Sequence, residues 1–281
     1  MKRIGIIAKK GEPDAVKAVK NLIQWLKGKK FEFYIESETA SLLKIKGYPR
    51  KEIPFKSDII IVFGGDGTLL GVARLVGDLG IPILGVNLGG LGFITEINRG
   101  EIRKEINKVF LGKYGLEERI MLLADVYRGS KRVIRQNALN DVVLNKSALS
   151  RMFELDIAIN GQYVSTFRAD GLIISTPTGS TAHSLSAGGP ILYPTLESFL
   201  ITPICPHTLT SRPIVLPDTF VLEVTIKCGD DVYLTLDGQV GFPLKENDRI
   251  VIKKAEYKTK FLVLHDRDYF RILKSKLKWG E

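Results

Sequence analysis

Cysteine is scarce in this 281-residue chain: Cys205 and Cys228 are the only two, at a spacing that suits neither a metal site nor a redox motif. That excludes a disulfide scaffold and fits a reducing, cytoplasmic compartment. No apolar run approaches the roughly 18 residues of a membrane span, so no membrane partner is expected. The opening Met1–Ala8 starts basic, but Lys9 and Lys10 end its apolar stretch after one strand's length. It reads as a buried strand and not as a signal peptide. Zinc-finger spacing, an RNP-type strand and a basic stripe with interleaved aromatics are all missing, so no nucleic-acid partner is expected. The net charge is nevertheless +10. Its lysines fall in scattered clusters (Lys27, Lys29, Lys30; Lys44, Lys46, Lys51; Lys253, Lys254; Lys274, Lys276, Lys278), which read as solvated faces. Their summed field favours polyanionic small molecules such as nucleotides. Of three histidines, His207 and His265 lack a partner at ligand spacing and read as structural.

What is present is an ordinary globular composition, 44% hydrophobic and 26% charged, in a chain long enough to bury about three quarters of its unfolded surface. Over residues 1–115, strand-like and helix-like segments alternate. Arg3–Ala8, Phe31–Ile35, Asp58–Phe63 and Ile83–Val86 read as strands; Asp14–Leu26, Leu69–Val76 and Ile102–Leu111 read as helices. Such alternation implies an α/β, Rossmann-like domain with an open parallel sheet. Over 116–265 the texture becomes many short strands: Leu122–Tyr127, Arg132–Leu144, Leu155–Ile159, Gln162–Phe167, Phe220–Lys227, Val232–Leu236, Arg249–Lys253 and Lys260–Leu264. Hairpin turns are expected at Asn160-Gly161 and Asp237-Gly238. This second domain is expected to be an all-β sandwich. Residues 266–281 read as a helix returning to the first domain.

Two segments concentrate chemistry. Gly64-Gly65-Asp66-Gly67-Thr68 follows a buried strand and precedes a helix, the place where an open parallel sheet binds ligands. Glycines let the backbone approach a phosphate, and the helix N-terminus favours an anion. The competing reading is a tight turn with Asp66 as an N-cap. Neither a G-x-G-x-x-G fingerprint nor a Walker A loop is present. The second segment, Asp170–Pro190, leads a short apolar strand into a run of hydroxyl residues and glycines suited to ribose, phosphate and amide edges. A Ser nucleophile with His183 as base is disfavoured, because no G-x-S-x-G elbow or orienting acid accompanies it. Asn140-Asp141 places two polar residues inside the apparent strand Ala138–Leu144.

Gly64–Thr68, Gly85–Phe93, Asn140-Asp141 and Asp170–Pro190, in that order, resemble the four signatures of the NAD kinases across nearly the whole chain. The first signature is shared with lipid kinases and phosphofructokinases; the long last one is more specific. The resemblance implies transfer of the ATP γ-phosphoryl group to the 2′-hydroxyl of the adenosine ribose of NAD, with Asp66 as proton acceptor. It implies contacts from Gly64, Gly65, Gly67, Asn140, Asp141, Asp170, Thr181, Ala182, His183, Ser184 and Ser186. Less securely aligned contacts are Phe93, Arg151 and Gln239, and Arg168 stands where the family is associated with preferring NAD over NADH. Asp141 stands where glutamate is common, and His183 where relatives often carry tyrosine. The resemblance further implies a divalent ion, Mg²⁺, arriving with ATP and not held in a protein cage, with polyphosphate as another donor. It also implies a homodimer or homotetramer. A lipid kinase and a non-catalytic nucleotide sensor are the alternatives.

Overall fold

A computed structural model of the chain describes residues 2–90, 92–147, 151–208, 210–229, 231–264 and 268–279. Two compact units result, Met1–Glu118 with Thr259–Glu281, and Arg119–Lys258. The first is an α/β unit and the second a sandwich of antiparallel strands.

The first unit runs β1 (Arg3–Ala8), α1 (Pro13–Leu26), β2 (Glu32–Ile35), α2 (Ser37–Leu42), α3 (Ile53–Lys56), β3 (Ile59–Phe63), α4 (Asp66–Val76), β4 (Ile83–Asn87), β5 (Ile97–Asn98) and α5 (Ile102–Phe110). Its strands pair in parallel in the order β2-β1-β3-β4, with Ile4 opposite Ile59 and Ile60 opposite Ile83. Every residue of β3 and β4 is buried, as continuous apolar runs in a sheet covered on both faces should be. Helix α1 buries Ala15, Ala18, Val19, Leu22 and Leu26, one helical stripe; each such leucine contributes about 2 kcal/mol of burial. From β1 the chain steps to β2 on one side, and β3 lies on the other. A crevice for ligands belongs at the carboxyl ends flanking that reversal.

The second unit is built from β6 (Gly115–Arg128), β7 (Lys131–Ala138), β8 (Asp141–Lys146), β9 (Phe153–Ile159), β10 (Gln162–Ala169), β11 (Gly171–Ser175), the short α6 (His183–Ser186), β12 (Ser198–Ile204), β13 (Ile214–Pro217), β14 (Leu222–Cys228), β15 (Val232–Leu236), β16 (Val240–Pro243) and β17 (Arg249–Val263). The unit boundaries fall within β6 and β17. One sheet has the order β13-β12-β11-β8-β15-β16; in the other, β10, β9, β14 and β17 are consecutive neighbours. Alternate residues of the two sheets, among them Val142, Leu144, Leu172 and Ile174 with Leu155, Ile157, Val224 and Ile250, form one core. The last helix, α7 (Tyr269–Leu277), belongs to the first unit, and Asp268 caps it by accepting the Phe270 and Arg271 amides.

Several expectations change. Arg132–Leu144 is two strands, since β7 ends at Ala138 and β8 begins at Asp141. Conversely, Arg249–Lys253 and Lys260–Leu264 are parts of the single strand β17. Along its charged middle, Lys254 pairs with Asp218 at 2.6 Å and Lys258 with Glu197 at 2.5 Å. Helix α4 starts at Asp66, three residues before the expected Leu69, with Gly65 as N-cap, so the aspartate is the first helical residue and the competing N-cap reading fails too. Strand β12, which carries Pro203, was not among the expected strands. Both expected hairpins form, each with two successive positive φ angles: Asn160 and Gly161 at +50° and +77°, Asp237 and Gly238 at +50° and +62°. Such pairs define the turn whose twist matches adjoining strands. His265 and Leu91 lie outside the described residues.

Candidate functional site

In the first unit, the chain leaves β3 through Gly64, whose amide donates to the Val86 carbonyl at 3.0 Å. A Cβ on Gly64 would sit 2.5 Å from the Thr68 hydroxyl and 3.2 Å from the Lys9 side chain. The glycine is therefore required by close approach and not by a left-handed backbone. At the corner so formed, Asp66 turns its half-buried carboxylate toward the segment that follows β4. Oδ2 accepts the Phe93 amide at 2.8 Å; Oδ1 accepts the amides of Ile94 at 3.2 Å and Thr95 at 3.3 Å. A Cβ on Gly92 would collide with Oδ1 of Asp66 and with the Thr95 hydroxyl.

That amide row is itself held by buried Asn87 at the end of β4. Its Nδ2 donates to the Gly90 carbonyl at 2.5 Å and to the Thr95 hydroxyl at 3.0 Å, and its Oδ1 accepts the Gly89 amide at 2.9 Å. An ionised carboxylate has about four acceptor positions. Among the described residues three are filled, two on Oδ1 and one on Oδ2, which leaves a position on Oδ2.

In the second unit, a polar cluster gathers where β7 gives way to β8. The Asn140 carbonyl accepts the Thr176 amide at 2.9 Å, and the Thr176 hydroxyl donates to the Leu139 carbonyl at 2.5 Å. Gly179 packs against the Asn140 backbone so closely that a Cβ there would collide with its carbonyl. Across β8, the Asp237 carboxylate accepts the amides of Leu139, Asn140 and Asp141. The Asp141 side chain is buried beside it. Desolvation first, and then the like charge of Asp237, push the Asp141 carboxyl up to about 7, as burial and a neighbouring anion both disfavour ionisation. Among the described residues the buried Asn140 Oδ1 has no hydrogen-bond partner, which costs free energy unless something occupies it.

Two family models cover most of the chain. The ATP-NAD kinase N-terminal domain matches residues 4–114, and the ATP-NAD kinase C-terminal domain matches 139–264. The chain belongs to the NAD kinase family. Among similar curated proteins, the NAD kinases of Geobacter metallireducens and Geotalea daltonii are 49% and 47% identical to it, over the whole of each chain. A yeast NADH kinase solved with NADH superposes with a TM-score of 0.92, at 26% identity over 100% of this chain and 89% of its own. An Archaeoglobus fulgidus NAD kinase solved with ATP shares the fold, with a TM-score of 0.77 at 24% identity over 98% of each chain.

Within this NAD kinase framework, the expected site residues occupy distinct settings. Gly65, Gly67 and Phe93 surround Asp66 at the first-unit corner. Asp170, between β10 and β11, pairs with Lys146 at 3.7 Å. Thr181, Ala182, His183 and Ser186 lie around α6, with His183 and Ser186 exposed. Ser184 departs from its neighbours: it is fully buried and shares a hydrogen bond with Thr202 at 2.8 Å. Its hydroxyl holds the loop down instead of facing outward. Ser180 does likewise, donating to the Pro177 carbonyl at 2.7 Å and accepting the Leu192 amide at 3.0 Å. Arg168 is exposed on β10 opposite Glu154, and Arg151 is exposed ahead of β9. Gln239 closes the β15–β16 turn, donating its amide to Leu236 at 2.9 Å. Asn87, Gly92, Thr176 and Gly179 fall inside two segments singled out in the sequence, Gly85–Phe93 and Asp170–Pro190, but without individual roles. The carboxylate of Asp237 was missed: the Asp-Gly pair at 237–238 signalled only the turn.

Proposed function

We propose that this chain transfers the γ-phosphoryl group of ATP to the 2′-hydroxyl of the adenosine ribose of NAD, giving NADP and ADP. The bond from the 2′-oxygen to phosphorus forms as the bond to the β,γ-bridging oxygen breaks, and ADP leaves with that electron pair. The hydroxyl proton passes to Oδ2 of Asp66, the carboxylate oxygen with an open acceptor position. That open position at a strand-to-helix corner is the observation that carries the reading. The three amides at 93–95 fix the carboxylate, so little reorganisation is needed as the proton arrives. Asn140 and Asp141 engage the dinucleotide: a ribose diol offers two donors, matched by the unpartnered Asn140 Oδ1 and the Asp141 carboxylate.

Mg²⁺ belongs with the nucleotide in this proposal. Among the described residues no group of three His, Cys, Asp or Glu side chains is arranged to hold a metal; bound with the nucleotide, the ion would neutralise charge on the transferring phosphoryl group. We place the enzyme in the cytoplasm on its scarcity of cysteine, which fits a reducing compartment; separately, no helix among those residues is long and apolar enough to cross a membrane. We further propose a homodimer or homotetramer. The edge strand β10, with Tyr163 and Val164 exposed, supplies a face of the kind that neighbouring chains cover; light scattering reads the assembly.

The deciding experiment incubates purified protein with Mg-ATP and NAD and follows NADP with a coupled dehydrogenase. Absence of NADP sinks the proposal. Replacing ATP by polyphosphate, and NAD by NADH, assigns the donor and tests the preference attached to Arg168.

A further inference from the structure

Asp237 stands at the first central position of the turn between β15 and β16, in a left-handed conformation with φ +50°. Aspartate followed by glycine is favoured there, because this hairpin turn needs two successive positive φ angles. The consequence of that backbone is where the carboxylate goes. Oδ1 accepts the Asn140 amide at 2.7 Å and the Asp141 amide at 3.3 Å, and Oδ2 accepts the Leu139 amide at 3.2 Å. The Asp237 amide in turn donates to the Asp141 carbonyl at 3.0 Å. Three consecutive amides at the break between strands are thus gathered on one buried side chain. Asp237 is also the charged group facing Asp141: the residue opposite Asp141 on β11 is Ser175, and Thr176 follows it, both uncharged.

We infer that Asp237 is a positioning residue for the dinucleotide, clamping the 139–141 backbone so that the side chains of Asn140 and Asp141 meet the ribose. It acts through them and touches no substrate. The inference rests on the proposed ribose contact of Asn140 and Asp141, and the test separates the two.

Asp237→Asn keeps one carbonyl acceptor and removes the charge. The KM for NAD rises by about 10-fold or more, as expected for losing a buried charge-assisted contact. The KM for ATP and kcat stay within about threefold, a split that general loosening of the fold would not produce. A diol donates, so the ionised form of Asp141 binds it better and NAD affinity rises with pH through the Asp141 titration. In Asp237→Asn the like charge is gone, and the midpoint of that rise moves to lower pH. Gly238→Ala provides a second variant that retains the carboxylate while straining the turn. It raises the KM for NAD a few-fold and leaves the midpoint in place. Unchanged NAD kinetics and an unmoved midpoint in a folded Asp237→Asn overturn the inference. So does an equal loss in both substrates and kcat. If Asn140→Ala and Asp141→Asn leave NAD binding intact, the ribose contact fails instead. If those two weaken NAD and Asp237→Asn does not, the clamp alone is wrong.

Discussion

Asp66 and Asp237 each accept three backbone amides, yet the two carboxylates are put to different uses. Asp66 sits half-buried at a corner between strand and helix, and the row of amides at 93–95 comes to it across a glycine-rich loop. Asp237 is buried between strands, and the amides of 139–141 are its anchor. The first arrangement immobilises a carboxylate while leaving Oδ2 open. The second uses a carboxylate to immobilise the backbone of other residues. What separates the two is burial and not the number of amides accepted: Asp66 keeps partial access to solvent, and Asp237 does not.

The sharpest way to break this comparison is Asp66→Asn. The amide cannot take up the hydroxyl proton, so kcat falls by about 10³-fold while the dissociation constant for NAD, read by calorimetry, stays within a few-fold. Turnover close to wild type would return Asp66 to the role of a helix-start residue.

Asp141 provides the next test, through pH. Its carboxyl is about 3.8 in the unfolded chain and is raised to about 7 when folded. Between those values the native state binds more protons than the unfolded state. The contribution is complete below the unfolded value and is lost as pH rises through the folded one. The loss amounts to a few kcal/mol, on the order of 1.4 for each tenfold difference in proton affinity between the two states. Asp141→Asn removes this dependence, so urea denaturation should find the variant gaining on wild type from pH 5 to pH 8. An equal difference at both pH values would contradict the burial of an ionisable group there.

Gly92→Ala probes the row that holds Asp66. Its methyl group lands on Oδ1, and displacing the carboxylate by even an ångström costs about 10²-fold in kcat. The melting temperature should change far less than in Gly179→Ala, where the obstruction is backbone. A kcat near wild type for Gly92→Ala would mean that the loop yields and Asp66 needs no fixed placement.

The smallest effect belongs to Asn160→Ala. Asn160 occupies the same kind of turn as Asp237, and its side chain accepts one amide, that of Val221 at 2.9 Å. Its loss should lower stability by about 1 kcal/mol in thermal unfolding and leave both KM values unchanged. A kinetic effect would show that the turn geometry, and not the Asp237 carboxylate, carries the difference.

Much of the architecture could be read in advance, because β3, β4 and α1 announce themselves by periodicities that only burial on two faces or one explains. The Asn-Gly and Asp-Gly turns were equally plain, their positive φ angles being costly for most other residues. The break at Asn140 was not, since Ala138–Leu144 has the composition of one strand. It is opened by a carboxylate about a hundred positions later in the chain, and no local pattern encodes that. Likewise the run of hydroxyls after Ser175 suggests a ligand surface by residue type. The structure turns Thr176, Ser180 and Ser184 inward as struts for their own loop. Residue identity told which atoms were available, and only tertiary packing told which way they faced. The same holds for Gly92 and Gly179, required because of what lies beside them.

The three-residue link between β15 and β16 carries an implication for the order of assembly. Hairpins closed over so short a connection form within about 1–10 μs, well before strands distant in sequence find each other. The Asp237 carboxylate is then already poised when the chain around residue 140 arrives, so this half of the molecule gains a receptor before it gains its ligand. Substitutions within the hairpin should accordingly slow refolding, whereas those at Asn140 should mainly hasten unfolding. Stopped-flow measurements showing the reverse would mean that the late-arriving segment organises the early one.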